Sequence, residues 1–437
     1  MNCMDLSRRN FLQTSAALAA AQQIGHTAAN DRITVGFIGA GARAHELMQA
    51  VQQHPQAEIV AVCDAYKGRV QRALDRTGNK AKAYKNYHDL LADKSIDAVV
   101  VATPDHWHKQ MIVEAVRAGK DVYCEKPMTY RASEGVEIIK AARSKERIVQ
   151  VGSQGMSTEP QRKAKEMIKS GKLGKVTIIR AAYNRNTASG AWIYPIPPDA
   201  SPQTVDWEMF LGPAPKRPFS LERFFRWRCY QDYSGGIATD LFVHLCTTIH
   251  YLMDAKMPSR CMAMGELYRW TESRDVPDTL NAILEYPEGF VVNLSSSFNN
   301  ELNAEGGFQV LGTEASVTLG GNGLMFYPEN AVEDNRWIVE SWAKDAEEAY
   351  YRDPKVIETE VEPAKRAKKQ PDRIQTGGPE ATVAHFGNFF ESIKTRKPYW
   401  EDASAGHHAA ACAHLVNQSV KQRRMTEWDF GKDDIRG

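Results

Sequence analysis

The chain has 437 residues, enough for two domains, and its 43% hydrophobic and 25% charged content excludes a disordered, collagen-like or low-complexity polymer. With 55 lysine and arginine residues against 54 aspartate and glutamate, the net charge of +1 gives no electrostatic reason to expect nucleic acid or an anionic membrane as partner. The seven cysteines (3, 63, 124, 229, 246, 261 and 412) form no C-x-x-C pair and sit in apolar surroundings. They read as buried, reduced thiols, not as a disulfide framework or a thiolate zinc site, and no metal is expected.

Residues 1–29 read as a targeting segment. Ser7-Arg8-Arg9-Asn10-Phe11-Leu12 precedes an Ala/Leu stretch ending at Ala21, shorter than the roughly 20 residues that span a bilayer. Thr27 and Ala29 stand at the −3 and −1 positions of a cleavage site before Asn30. The pattern resembles a Tat-type signal, so export to the periplasm or the extracellular space is expected. The chain left after cleavage is formally neutral and has no run of eighteen apolar residues, so it should not insert stably into a membrane.

The first domain is expected over 30–154. Arg32 to Gly39 is a continuous apolar strand, and Ala44, Leu47, Met48 and Val51 then repeat with helical spacing. Between them lies Gly39-Ala40-Gly41-Ala42-Arg43-Ala44, in the order G-x-G-x-x-[GA]. Gly39 allows the tight turn, Gly41 lets a pyrophosphate approach the backbone, and the helix N-terminus supplies the anion site. A second strand, Ile59–Cys63, ends in Asp64, placed to accept ribose hydroxyls. Its charge favours NAD; Lys67 and Arg69 nearby leave NADP as the weaker alternative.

Strands at 96–102, 121–124 and 147–151 alternate with helices at 107–118 and 131–143, which gives a doubly wound parallel sheet. Ligand chemistry in such sheets sits at the carboxyl ends of strands. That directs attention to Thr103-Pro104-Asp105-His106-Trp107-His108 and to Glu125-Lys126-Pro127. His106 and His108 have no visible carboxylate partner for a metal, and one of them lining the nicotinamide pocket is the preferred reading.

From Gly174 onward the texture changes. Strand candidates at 175–183, 260–268, 279–286, 290–298 and 308–311 alternate apolar and polar residues, as an open, mainly antiparallel sheet with one buried face should. Residues 155–437 are therefore expected to form an α+β substrate and oligomerisation domain. It carries a long aromatic connection at 185–230, an exposed charged insertion at 344–378 and C-terminal helices within 379–420. An open sheet face needs a partner, so a homo-oligomer is expected.

In this order the Gly-rich turn, Thr103-Pro104 with His108, Glu125-Lys126-Pro127, Gly235-Gly236, and Asp240 followed by His244 resemble the Gfo/Idh/MocA oxidoreductases over essentially the whole chain beyond the signal. The resemblance implies NAD(P)-linked chemistry on a carbohydrate or cyclitol, with Lys126, Asp240 and His244 in the reactive centre. In that setting His244 suits the role of base, Asp240 that of its orienter or a substrate hydroxyl acceptor, and Lys126 that of the cation beside a developing alkoxide. Glu125 is expected to fix its turn. Trp192, Tyr194, Arg228, Tyr230 and Tyr233 are candidates to hold the substrate, while Arg223, Arg226 and Arg228 either bind an acidic group or are ion-paired.

Export of a cofactor enzyme away from any replenished NAD pool favours a tightly held dinucleotide, regenerated within each cycle. Three readings follow. The first is an oxidoreductase that moves hydride to and from a secondary hydroxyl. The second is an NAD-dependent glycoside hydrolase working by transient ring oxidation, elimination, water addition and re-reduction. The third is a non-catalytic sugar- or NAD-binding protein.

Overall fold

The computed structural model describes residues 32–436 apart from 303–306 and 321–322. The signal-like segment 1–29 lies outside the described residues.

The first sheet is built from β1 (Ile33–Ile38), β2 (Ala57–Cys63), β3 (Lys82–Ala83), β4 (Ala98–Val101), β5 (Asp121–Glu125) and β6 (Val149–Gly152), in the order β3-β2-β1-β4-β5-β6. All neighbours are parallel. Both faces are covered, which explains why β4 and β5 are buried along their whole length and read as continuous apolar runs. Helices α1 (Ala42–Val51), α2 (Lys67–Arg76), α3 (Tyr87–Ala92), α4 (His108–Arg117) and α5 (Glu134–Ser144) supply the crossovers.

After α6 (Glu159–Lys169) comes a second, mixed sheet of ten strands. It comprises β7 (Val176–Ala182), β8 (Arg260–Glu266), β9 (Thr279–Tyr286), β10 (Phe290–Ser297), β11 (Phe308–Gly312), β12 (Ala315–Gly320), β13 (Gly323–Pro328), β14 (Asp372–Gln375), β15 (Thr426–Asp429) and β16 (Asp434–Ile435). Only β7 and β10 pair in parallel; the rest are antiparallel. Inward residues of β8, β9 and β10 pack on α7 (Val243–Met253) and α9 (Ala403–Gln422). Met262, Met264 and Ile283 stand out from the opposite face, with Met264 79% exposed.

Two arrangements refine the expected division. Helix α8 (Ala381–Thr395), although late in the chain, covers the first sheet: Phe386 stacks on Tyr123 at 4.4 Å, and Phe389, Phe390 and Ile393 complete that core. The charged segment 344–378 is exposed for most of its length, as its composition implies, but its residues 372–375 form β14 on the edge of the second sheet. The six described cysteines are buried and form no disulfide.

Candidate active site

The carboxyl ends of β1, β2, β4 and β5 converge on one cavity of about 550 Å³, where the strand order reverses between β1 and β4. Gly39 follows β1 with φ +89°, and a Cβ there would lie 2.6 Å from the Ala102 carbonyl oxygen, so only glycine fits. At Gly41 a Cβ would meet nothing closer than the Arg69 guanidinium at 3.7 Å, which leaves this stretch of backbone open to the cavity. No side chain caps α1 and no acid stands in its first turn, so its leading N–H groups present a site for an anion.

Asp64 at the end of β2 accepts from the N–H groups of Ala40 (2.7 Å) and Tyr66 (2.8 Å), which holds its carboxylate at the cavity wall. Arg69 lies 3.9 Å away across the rings of Phe224 and Phe225, whereas Lys67 is tied to the Gln203 carbonyl at 2.8 Å. Arg43 Nε donates to Glu125 Oε1 at 3.0 Å, and Gln154 Nε2 donates to the same oxygen at 2.9 Å. Glu125 thus braces α1 against β5 and the segment after β6. Ala42, Thr103 and Pro104 complete this wall.

The other end of the cavity carries the charged cluster. Lys126 Nζ donates to the main-chain oxygen of Asp240 (2.7 Å) and to its Oδ1 (2.9 Å), and Arg228 Nε donates to the same Oδ1 at 3.0 Å. Burial opposes ionisation of Asp240, but Lys126 and Arg228 outweigh it and hold the carboxyl far below the usual carboxylate range. His244 faces the same cavity, and no described side chain hydrogen-bonds its ring. Burial first, and the Lys126 charge second, lower its imidazole to about 3, so it is neutral at physiological pH.

Asp240 lies in a π-helical turn, Ala238–Phe242, directly ahead of α7. The spacing of four residues suggested that Asp240 and His244 share a helix face, with Asp240 orienting His244 or accepting from a substrate hydroxyl. Instead Asp240 is committed to two cations, and no hydrogen bond joins it to the imidazole. Asp105, within the strand-end stretch 103–108 to which the sequence drew attention but given no role there, is buried behind the cluster with Thr239 Oγ1 at 3.5 Å. Burial, then the Asp240 charge, raises its carboxyl to about 7. Its only sequence signal was its place two residues beyond Thr103 at a strand end.

Among the substrate candidates, Trp192, Tyr194 and Arg228 line the cavity together with Arg185 and Trp227. Tyr230 and Tyr233 do not. Tyr233 is fully buried against His106 and Phe210, and Tyr230 lies under the Arg223 guanidinium at 4.2 Å. The short turn Trp227–Cys229 sends residues 227 and 228 to the cavity and those after it into the core. His108 is also off the cavity: its Nδ1 meets the Pro127 carbonyl at 2.6 Å and its Nε2 that of Thr103 at 2.9 Å, so it clamps the two strand ends from behind. Arg223 pairs with Asp232 and Arg226 with Glu222, each at 2.9 Å, which leaves Arg228 as the member of that cluster facing the cavity.

Two family models match the chain: the oxidoreductase family with an NAD-binding Rossmann fold over residues 33–153, and the GFO/IDH/MocA C-terminal domain over residues 161–318. The chain belongs to the Gfo/Idh/MocA oxidoreductase family. Inositol 2-dehydrogenase from Salmonella typhimurium is 32% identical over 158 residues, 36% of this chain and 47% of that enzyme. The chain thus matches about half the length of such curated relatives. Levoglucosan dehydrogenase, solved with NADH and levoglucosan, superposes with a TM-score of 0.67 at 18% identity over 91% of this chain and 99% of the other. Aldose-aldose oxidoreductase from Caulobacter crescentus, solved with glycerol, superposes with a TM-score of 0.65 at 16% identity and the same coverage. At these identities the superpositions establish the shared fold. This Gfo/Idh/MocA chain carries both of the family's matched regions, and its α8 packs into the core of the first sheet.

Proposed function

We propose that the protein is an exported NAD-dependent oxidoreductase that exchanges hydride with a secondary hydroxyl of a carbohydrate or cyclitol and holds its dinucleotide tightly. One observation carries this reading: the glycine turn and Asp64 open on the same cavity as the Lys126–Asp240–Arg228 cluster and the unbonded His244 ring. The site suits the dinucleotide. The backbone at Gly41 is unobstructed, the first turn of α1 is uncapped, and Asp64 is positioned for ribose hydroxyls. The nicotinamide, when bound, supplies the acceptor for the hydride leaving carbon.

The chain's own groups handle the proton and the charge. His244, neutral and facing the cavity, takes the hydroxyl proton. Lys126, fixed by Asp240, stands as the cation that stabilises the alkoxide as it forms. Trp192 and Tyr194 offer aromatic faces to a sugar ring, and Arg228 and Arg185 offer donors to its hydroxyls.

The twin-arginine segment and the inositol, levoglucosan and aldose chemistry named for the relatives support export and the substrate class. The exposed apolar face of the second sheet supports a homo-oligomer. The test is to denature protein purified without added nucleotide, assay the released NAD(H), and then incubate the native protein with free sugars and aryl glycosides. A near-stoichiometric dinucleotide and an oxidised free sugar are the expected results. Release of the aryl group with no net NADH would replace this reading with the hydrolytic one, and an empty protein that neither binds nucleotide nor turns over would leave only a binding role.

A further inference from the structure

We propose that His407, His408 and Asp433 bind a divalent transition-metal ion at a second site, separate from the dinucleotide cavity. His407 and His408 are consecutive on α9, and Asp433 comes from the turn between β15 and β16. The fold brings them together. His407 Nε2 lies 3.3 Å from Asp433 Oδ2, His408 Nε2 lies 3.5 Å from Asp433 Oδ1, and one donor atom from each residue falls within a 4.8 Å group. An ion bound at about 2.0–2.1 Å in tetrahedral geometry places its donors roughly 3.3–3.5 Å apart. Each imidazole stands at that separation from one oxygen of the Asp433 carboxylate, and a small closure of the 4.8 Å group brings single donors from all three residues onto one ion.

His407 adds an independent observation. It is fully buried, yet among the described residues neither ring nitrogen makes a geometrically sound hydrogen bond, and Nε2 has the Asp433 carboxylate 3.3 Å away. A buried imidazole left in that state needs a reason. Its Nδ1 side is closed by α5, where a Cβ on Gly135 would lie 2.0 Å from the nitrogen, so Nε2 is the atom presented to the carboxylate. Asp433 holds φ +54°, an uncommon conformation for a residue with a side chain, and its turn is fastened by Asp429 Oδ1 accepting from the N–H groups of Gly431 (2.9 Å) and Lys432 (3.1 Å).

Two imidazoles and one carboxylate are a borderline donor set that favours Zn(II), Co(II), Ni(II) or Cu(II) over Mg(II) or Ca(II). Three protein donors leave a coordination position open. His408 and Asp433 face a cavity of about 480 Å³, also lined by His250, Lys256 and Trp400, in which a water or a small anion could complete the shell. That cavity shares no lining residue with the first one. Binding would tie the C-terminal β15–β16 hairpin to α9, so the site's effect is read in metal uptake and stability, independently of redox turnover.

The test uses the full chain after signal removal, stripped with chelator and freed of any affinity tag. It is titrated with Co(II) followed by visible absorption and with Zn(II) followed by melting temperature, with metal content per chain measured after desalting. One ion per chain, Co(II) d–d bands of a low-coordinate site and a melting temperature that rises with Zn(II) are expected. His407→Ala empties a buried position and so tests packing as well as binding; Asp433→Asn and His408→Ala, at more exposed positions, carry the test. Each should weaken Zn(II) affinity by at least about tenfold while leaving the released NAD(H) unchanged. Less than about a tenth of an ion per chain at micromolar metal, or both variants binding as tightly as the parent, would overturn the proposal.

Discussion

Lys126 Nζ stands 2.9 Å from Asp240 Oδ1 and 2.7 Å from the Asp240 carbonyl, which joins the end of β5 to the π-helical turn at the head of α7 across the boundary between the two sheets. Both partners are nearly buried, with side-chain exposures of 11% and 10%. Removing one member of such a pair strands the other charge in a low-dielectric site. Asp240→Ala, which leaves Lys126 and Arg228 facing each other, is expected to destabilise the protein by about 3–5 kcal/mol and to reduce kcat/KM by at least about a hundredfold. Urea denaturation and steady-state kinetics check the two effects separately.

The two glycines of the turn should fail differently. Gly39→Ala forces a Cβ to 2.6 Å from the Ala102 carbonyl at a positive φ, so a loss of stability of about 1–3 kcal/mol is expected along with loss of nucleotide. Gly41→Ala meets nothing closer than 3.7 Å in the protein. It should fold with a melting temperature close to the parent's and lose dinucleotide affinity, because the added methyl occupies space on the phosphate side of the cavity. Thermal denaturation with and without added NAD separates the two outcomes.

Asp105 gives a pH signature with a definite sign. Its carboxyl rises from an ordinary 3.8 to about 7 in the fold, chiefly through burial and then through the Asp240 charge. Between those values the unfolded chain has released this proton and the folded chain has kept it, so this group's contribution to stability falls as pH rises from about 4 to about 7 and is level above. The stability of the parent relative to Asp105→Asn should therefore be greatest at about pH 4 and below and decline by several kcal/mol toward pH 8. Parallel urea titrations at several pH values measure it; a pH-independent difference would reject the assignment.

The loop aromatics divide into wall and packing. Tyr194→Ala should raise KM for a sugar substrate by about tenfold, the scale of a lost stacking contact. Tyr233→Phe removes a hydroxyl that is buried and does not reach the cavity, so KM should stay within about twofold of the parent.

The first sheet was legible because parallel strands buried on both faces leave unbroken apolar runs, and because the glycine turn carries its own physical logic at Gly39 and Gly41. Lys126 was legible from its place at a strand end. What the sequence could not convey depends on contacts between distant segments. Nothing local distinguishes Tyr194, on the cavity wall, from Tyr233, in the core, since both are aromatics in one long connection. The i, i+4 spacing of Asp240 and His244 assumed an α-helix, whereas the π-helical turn and the two facing cations give Asp240 a different task. His108 stood beside the expected pocket in sequence, but its ring turns inward to two carbonyls. Asp105 faces Asp240, and Asp433 faces His407, only because the chain folds back on itself. The placement of α8 against the first sheet, through Phe386, Phe389 and Phe390, likewise has no local cue beyond an apolar helical stripe.

The most direct test of the central claim mixes protein carrying its co-purified dinucleotide with a panel of sugars and cyclitols and follows the nicotinamide absorbance through one turnover, for the parent and for His244→Ala. The parent should reduce its bound cofactor with at least one member of the panel. The variant should retain a full complement of nucleotide and react at least about a hundredfold more slowly, as expected when a positioned base is removed. Equal rates for the two proteins, or no reaction of a fully loaded parent with any secondary alcohol offered, would contradict the account.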